Sequence, residues 1–173
     1  MILLPFHLVL TAASPALAAS KFRNPDEKRD WHGINWGTTP ADDMICVSSP
    51  NPGVQVCTRP PASGDHAVGD LKVDTVSYLY FQDHLYRVDL GVTSDDVAGE
   101  LGRALRQLYG PGTWDAGERS EGWKGSQIAI SMVLGLRKPG AVLSYQYRSL
   151  VTDVDAARVA AGGEKLTKLL GDL

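Results

Sequence analysis

The side chains best suited to acid–base chemistry are widely separated in this sequence. Beyond the first 20 residues, histidine occurs only at His32, His66 and His84. General acid–base catalysis needs an imidazole or carboxylate within hydrogen-bond reach of its partner, and Asp83-His84 is a candidate dyad. Because Asp83 lies between two apolar runs, where Asp commonly forms the hydrogen bonds of a turn, a structural role is favoured. The catalytic alternative is a small hydrolase-type site formed by His32, His84 and either Asp83 or Asp89.

The stretch HGINWGTTPADDM, residues 32–44, also concentrates polar groups. Thr39 is suited to cap a helix, Pro40 to occupy its first position and Asp42 to reach back to the cap from the third. Both Asp42 and Asp43 would also interact favourably with the positive end of the helix dipole. The pattern therefore predicts that the acidic pair begins a short helix and does not take part in chemistry.

Motifs that carry catalysis or metal binding are absent from the sequence. It contains no HExxH, CxxC or GxSxG motif, and no glycine-rich phosphate loop follows an apolar strand. We therefore predict no catalytic residue, no metal site and no cofactor. The formal net charge is −3, with acidic and basic residues interspersed and no basic run. This distribution argues against nucleic acid or an anionic membrane as the partner.

The first 18 residues, MILLPFHLVLTAASPALA, contain no charged side chain. Their apolar run is too short to span a bilayer but is typical of a secretory signal, although the usual basic start is missing. Ala16 and Ala18 supply the small residues that favour cleavage before Ala19, and the bond after Ala19 is the alternative. No Cys lies near this point to carry a lipid anchor. The sequence thus predicts a periplasmic or secreted protein with no membrane anchor in the mature chain.

Cys46 and Cys57 are the only cysteines of the chain. In an oxidising compartment such a pair normally forms a disulfide. Closing a loop of about 12 residues would contribute about 2.8 kcal/mol in the chain-entropy model. A zinc site is the competing interpretation, but the spacing does not match a zinc knuckle and no His is placed to complete four ligands.

Two apolar segment pairs predict two β-hairpins. The first, over VDTVSYLYF and HLYRVDLGV, has a turn near Gln82 and Asp83. An even-numbered turn gives it a core face with Leu79, Phe81, Tyr86, Val88 and Leu90, and a mixed face with Val76, Tyr78, Tyr80, Leu85, Arg87 and Asp89. The second hairpin, over WKGSQIAISMVLGL and AVLSYQYRSL, has an apolar face with Ile130, Met132, Leu134, Leu136, Leu143, Tyr145 and Tyr147. Residues 48–70 are rich in Pro, Gly and Ser and predict mainly loop.

Helices are predicted after each hairpin. Ser94 or Thr93 caps the first helix, and Gly110 with Pro111 ends it. The C-terminal helix begins at Thr152 or Asp153, and Gly162-Gly163 predicts a break, since each glycine costs about 1 kcal/mol relative to Ala. Residues 19–30 are expected to form a flexible leader, and residues 31–173 a single domain. The predicted fold is α+β: a single antiparallel sheet built from two hairpins, with the helices packed on one face in two layers.

The segments GINWGTT, FQDHLYRV, LRQLYGPG and LSYQY resemble those of small exported bacterial proteins, many of unassigned function. In the predicted order, the TTPADDM helix precedes the first hairpin and the helix capped at Ser94 or Thr93 precedes the second. This order is also similar to the tandem helix-plus-hairpin units of β-lactamase-inhibitor-like proteins and of the small lipoprotein of the outer-membrane assembly machine. The likeness covers most of residues 31–150, although the lipid-attachment Cys of that lipoprotein is missing. The resemblance implies a binding or scaffolding role by analogy.

The mixed hairpin faces and one loop tryptophan form the predicted binding surface. Aromatic and guanidinium groups are enriched at protein interfaces, and loops often carry function. The candidate residues are Tyr78, Tyr80, Arg87, Trp114, Gln146 and Arg148. We therefore expect a non-catalytic binding or scaffolding protein whose partner is a protein or another component of the cell envelope.

Overall fold

The computed structural model describes residues 22–60, 64–135 and 139–171, excluding the side chains of residues 163–171. A short 3-10 turn at Pro25–Glu27 comes first, and the elements then follow in chain order. They are β1 (Asp30–Trp31), β2 (Ile34–Asn35), β3 (Ile45–Ser48), β4 (Val54–Thr58), β5 (Ala67–Val68), β6 (Leu71–Lys72), β7 (Thr75–Phe81), β8 (His84–Val92), α1 (Asp95–Tyr109), β9 (Thr113–Asp115), β10 (Ser120–Lys124), β11 (Ile128–Leu134), β12 (Ala141–Tyr147) and α2 (Arg148–Gly171).

Eight of these strands form one antiparallel sheet in the order β3-β4-β7-β8-β12-β11-β10-β9, and two small hairpins lie outside it. The predicted fold is therefore wrong, although both helices and strands are present. The two predicted hairpins form only the centre of the sheet. The predicted loop at 48–70 contains β4, and the loop around Trp114 contains β9 and the start of β10. Strands of three to five residues show too little alternation for their sequence to reveal them.

The two helices pack on opposite faces of the sheet, which also departs from the predicted two layers. Leu101 and Leu105 of α1 join the larger core cluster, which contains Tyr78, Val88 and Ile130; we call this the α1 face. Val154 of α2 packs with a smaller cluster on the other side, the α2 face. The smaller cluster contains Val54, Phe81, Tyr86 and the partly buried Leu79, Leu150, Val151 and Ala157.

A β-bulge explains why the faces of the first hairpin were assigned incorrectly. Gln82 and Asp83 form the turn, as predicted, and Phe81 lies opposite His84. The register then shifts, so that Tyr80 lies opposite Leu85 but Leu79 lies opposite Arg87. The extra residue reverses the parity of β8 relative to β7. In the second hairpin, which has no such shift in its described part, Ile130, Met132, Leu143 and Tyr145 of the predicted apolar face are buried. Leu134 and Tyr147 are partly buried, and Leu136 lies outside the described residues.

The helix predictions have mixed outcomes. Helix α1 is confirmed, with Ser94 as its cap and Gly110 at its end. The helix predicted at TTPADDM is wrong: Met44 donates its N–H to Ala41 O in a single turn, and β3 begins at the next residue. The segment between Thr39 and the start of β3 is too short to form a stable helix. Helix α2 starts at Arg148, before the predicted cap, and runs without a break through Gly162.

Residues 22–30, part of the predicted leader at 19–30, contact the sheet, and residues 19–21 lie outside the described residues. Asn24 caps the 3-10 turn, and Asp26 accepts hydrogen bonds from the turn that joins β10 to β11. The proposed signal segment, residues 1–18, lies outside the described residues. No helix in the described ranges is long and apolar enough to cross a membrane.

The predicted disulfide is confirmed. Cys46 of β3 and Cys57 of β4 are directly opposite one another and are bonded. The bond therefore joins the outermost strand at one end of the sheet to its neighbour. Cys57 is fully buried, so the disulfide also forms part of the larger core cluster.

Candidate functional site

The β9 end of the sheet combines an exposed aromatic side chain with a cavity. Trp114 is the central residue of β9 and is 52 % exposed to solvent. A pocket of about 130 Å³ lies beside it, between α1 and the sheet. We call the lining residues the Trp114 site: Ala98, Gly99, Gly102, Arg106, Trp114, Glu121, Met132 and Leu134.

The pocket exists because α1 presents small residues to this part of the sheet. Ala98, Gly99 and Gly102 lie on the helix wall, whereas Leu101 and Leu105 fill the core beside it. A Cβ built at Gly102 would lie 3.7 Å from Met132 Sδ and 3.8 Å from Arg106 Nη1, which are ordinary contact distances. A Cβ at Gly102 would therefore fit, and the atoms beyond it would occupy the space between Met132 and Arg106.

An ion pair forms the polar wall of the pocket. Arg106 donates from Nε to Glu121 Oε1 at 3.0 Å and from Nη2 to Glu121 Oε2 at 2.5 Å. Gly112 N–H donates to the same carboxylate at 3.0 Å. The hydrogen bond from Arg106 outweighs the effect of burial and lowers the pKa of Glu121. Glu121 is buried and fully engaged, while Arg106 is 53 % exposed and has no hydrogen-bond partner for Nη1 within the described residues.

The backbone of Trp114 also points outward from the sheet. Leu134 of β11 donates its N–H to Arg119 O just before β10. Hydrogen-bonded and non-hydrogen-bonded pairs alternate along an antiparallel ladder. Since Arg119 and Leu134 form a hydrogen-bonded pair, Glu121 directs its N–H and C=O towards β11 and away from β9. Trp114 and Glu121 therefore form a non-hydrogen-bonded pair. The N–H and C=O of Trp114 face the free side of β9, where no strand of the described chain pairs.

Two of the predicted binding residues are inaccessible. The side chains of Tyr78 and Tyr80 are completely buried on the α1 face, so the expectation that they face solvent is wrong. Tyr78 donates its hydroxyl to the buried Asp65 at 2.5 Å, and burial together with this bond raises the pKa of Tyr78. Arg59 completes the cluster by contacting Asp65 at 3.3 Å and Asp43 at 3.1 Å.

The remaining predicted binding residues do not form one surface. Arg87 lies opposite Gln146 on the α2 face and donates to Asp89 at 2.6 Å and to Ser144 at 3.1 Å. Arg148 begins α2 and donates to the backbone oxygens of Gly125 and Ser126. Trp114 lies five strands from β7, or about 24 Å at the usual interstrand spacing. Of the six residues, only Trp114 combines an exposed aromatic side chain with a neighbouring pocket.

The residues of the catalytic alternative contact other groups. His32 Nε2 lies 3.2 Å from Ala67 O, and His84 Nδ1 lies 2.7 Å from Gly37 O. Asp83 accepts from Gln55 and Asp89 accepts from Arg87. No group of three or more metal-binding side chains occurs among the residues whose positions are described. None of these contacts assembles an acid–base pair.

Sequence reasoning identified Trp114 but missed the rest of its site. Arg106 and Glu121 come from different elements, so no local pattern indicates that they pair. The small residues Ala98, Gly99 and Gly102 were a usable signal, since two glycines inside a strong amphipathic helix need a structural reason.

Comparison with family models, with curated proteins and with solved structures finds no match for this sequence. The suspected resemblance therefore stays a prediction.

Proposed function

We propose that this chain is an exported, non-catalytic binding protein of the cell envelope. In this proposal the Trp114 site receives an apolar side chain from an extended segment of a protein partner. The observation that carries it is the exposed indole of Trp114 beside a preformed pocket. The disulfide and the apolar N-terminal sequence support export, because disulfides persist in oxidising compartments.

The size of the pocket favours a single apolar side chain. Its volume is about 130 Å³, and an apolar cavity of roughly 150 Å³ holds one benzene molecule. Met132 and Leu134 supply an apolar floor, and Trp114 supplies an aromatic wall. Tryptophan and arginine are the residues that most often dominate the energy of protein interfaces.

The polar groups of the site favour a polypeptide partner. An extended segment beside β9 would pair with the outward N–H and C=O of Trp114 and so add a strand to the sheet. In such a hydrogen-bonded pair, the residue opposite Trp114 lies on the same face as the indole and the pocket. Nη1 of Arg106 is available to donate to a carbonyl oxygen of the same segment.

Peptides selected by the purified protein from a random phage-displayed library test this proposal. We expect the selected peptides to share an apolar residue, and Trp114→Ala to weaken their binding about 30-fold, equivalent to about 2 kcal/mol. Gly102→Leu, which fills the pocket, should weaken it similarly. Val133→Ala is the matched control because Val133 is exposed on the sheet but does not line the pocket.

The outcomes separate clearly. Peptides that bind equally well to the wild type and to Gly102→Leu would contradict the proposed use of the pocket.

Export is tested separately by mass spectrometry of the N terminus after expression with the full sequence. A mature chain that begins at Ala19 or Ser20 supports export, and an intact Met1 contradicts it.

A further inference from the structure

The opposite end of the sheet presents a second edge. Strand β3 is the outermost strand there, and no strand in the described parts of the chain pairs with its outer side. Its sequence, Ile45-Cys46-Val47-Ser48, contains neither charge nor proline. Exposed edges are usually protected against strand pairing by charged residues, proline or a covering segment.

The peptide groups that face outward can be identified. Cys46 and Cys57 have their Cα atoms 4.0 Å apart, which matches the short spacing of a non-hydrogen-bonded pair. Ser49 donates its N–H to Val54 O at 2.9 Å, so these two residues form a hydrogen-bonded pair. Because the two kinds of pair alternate along the strand, Cys46 and Ser48 both belong to non-hydrogen-bonded pairs. The N–H and C=O groups of Cys46 and Ser48 therefore point away from β4 and remain unpaired within the described chain.

The side chains on this edge are aliphatic and exposed. Ile45 is 70 % exposed and Val47 is 62 % exposed. Both lie on the α2 face, where Val47 is opposite Val56, and Val56 is opposite Leu79. Leu79 packs against the cluster under α2. An aliphatic stripe thus runs from that cluster to the free edge.

We propose that β3 is a homodimer interface, in which β3 of a second copy pairs antiparallel with it about a two-fold axis at Val47. In this register Cys46 is opposite Ser48 of the second copy, and each such pair exchanges two backbone hydrogen bonds. The two Val47 side chains meet at the axis in a non-hydrogen-bonded pair, where side chains lie closest. The sheets of the two copies then become continuous.

The features of β3 favour a second copy as its partner. An isologous interface requires a patch that is complementary to itself, and the outward donors and acceptors of Cys46 and Ser48 satisfy this condition under the two-fold axis. An uncharged strand meets an identical strand without like-charge repulsion. The disulfide holds β3 in its extended conformation before association, which reduces the entropy lost on binding.

Sedimentation equilibrium of the oxidised protein over a dilution series tests the proposal. We expect the wild type to show a dimer that dissociates on dilution, and Val47→Lys to halve the average mass at concentrations where the wild type is dimeric. Val142→Lys is the matched control: Val142 is an exposed valine on the same face, but it lies on β12 inside the sheet. Both valines are exposed, so neither change removes a buried side chain.

Hydrogen exchange identifies the register. In the dimer the amides of Cys46 and Ser48 should gain protection as the concentration rises, and this gain should be lost in Val47→Lys. A wild type that stays monomeric throughout the series would overturn the proposal. So would a dimer that Val47→Lys leaves intact, or one in which those two amides exchange at the monomer rate.

Discussion

The hydrogen bonds to Asp26 give a quantitative prediction about stability and pH. Its carboxylate accepts from Ser126 N and Oγ, both at 2.7 Å, and from the N–H groups of Gln127 and Ile128, both at 2.8 Å. Desolvation alone would raise the pKa of Asp26. The hydrogen bonds outweigh it and lower that pKa from 3.8 to about 2.

The size of the effect follows from this difference in pKa. One pKa unit corresponds to 1.36 kcal/mol, so the full difference would be about 2.4 kcal/mol. Because Asp26 is only partly buried, screening by solvent reduces our expectation to about 1–2 kcal/mol. The pKa is lowered on folding, so this stability is present above pH 3.8 and is lost as the pH falls towards 2.

Urea unfolding of the wild type and of Asp26→Asn measures how much the Asp26 carboxylate contributes to the free energy of unfolding. The free energy of unfolding of Asp26→Asn should fall below that of the wild type by at least 1–2 kcal/mol at about pH 6, and most of this difference should vanish at about pH 2. The side-chain amide of the Asp26→Asn variant faces backbone N–H donors at every pH and therefore lowers stability by an amount that does not depend on pH. Only the part of the difference that changes with pH reports on the charge of Asp26. Asp153→Asn is the control, because Asp153 is exposed on α2. A difference that stays constant over this range would refute the reasoning.

Three further changes should alter stability. Tyr78→Phe removes the hydroxyl donor to the buried carboxylate of Asp65 and should lower the free energy of unfolding by about 1–3 kcal/mol in urea titrations. Gly99→Ala, inside α1 with nothing within 4 Å of the new Cβ, should raise it by about 0.5–1 kcal/mol, and an unchanged thermal midpoint would contradict this. Replacing Cys46 and Cys57 together with Ser should lower it by about 2–4 kcal/mol, and equal stability of the variant and the oxidised wild type would be inconsistent with a stabilising disulfide.

The parts of the fold that could be predicted have long, regular patterns. Ile130 and Met132 lie in a seven-residue strand without a register shift, so alternation alone assigned their face correctly. Helix α1 could be predicted because Ser94 caps it and Gly110 ends it. In both cases the signal is local, and the tertiary structure agrees with it.

The parts that could not be predicted depend on contacts between distant residues. The bulge near Tyr86 places Tyr78 and Tyr80 in the core, and neither strand sequence marks its position. Strand β4 lies in a segment rich in Pro and Gly, where its pairing with β7 determines the structure. The acidic residues of TTPADDM resembled a helix start, yet Asp43 binds Arg59. In these three cases, pairing between residues distant in the sequence decided the structure.

The methyl group of Met132 reports directly on whether the pocket beside Trp114 binds the partner. Met132 lines the pocket, whereas Met44 accepts a hydrogen bond from Tyr80 towards the other end of the sheet and serves as an internal reference. Titration of methyl-labelled protein with a selected peptide should shift the Met132 resonance in the wild type and leave Met44 unchanged. Binding that leaves the Met132 resonance unmoved would contradict the account.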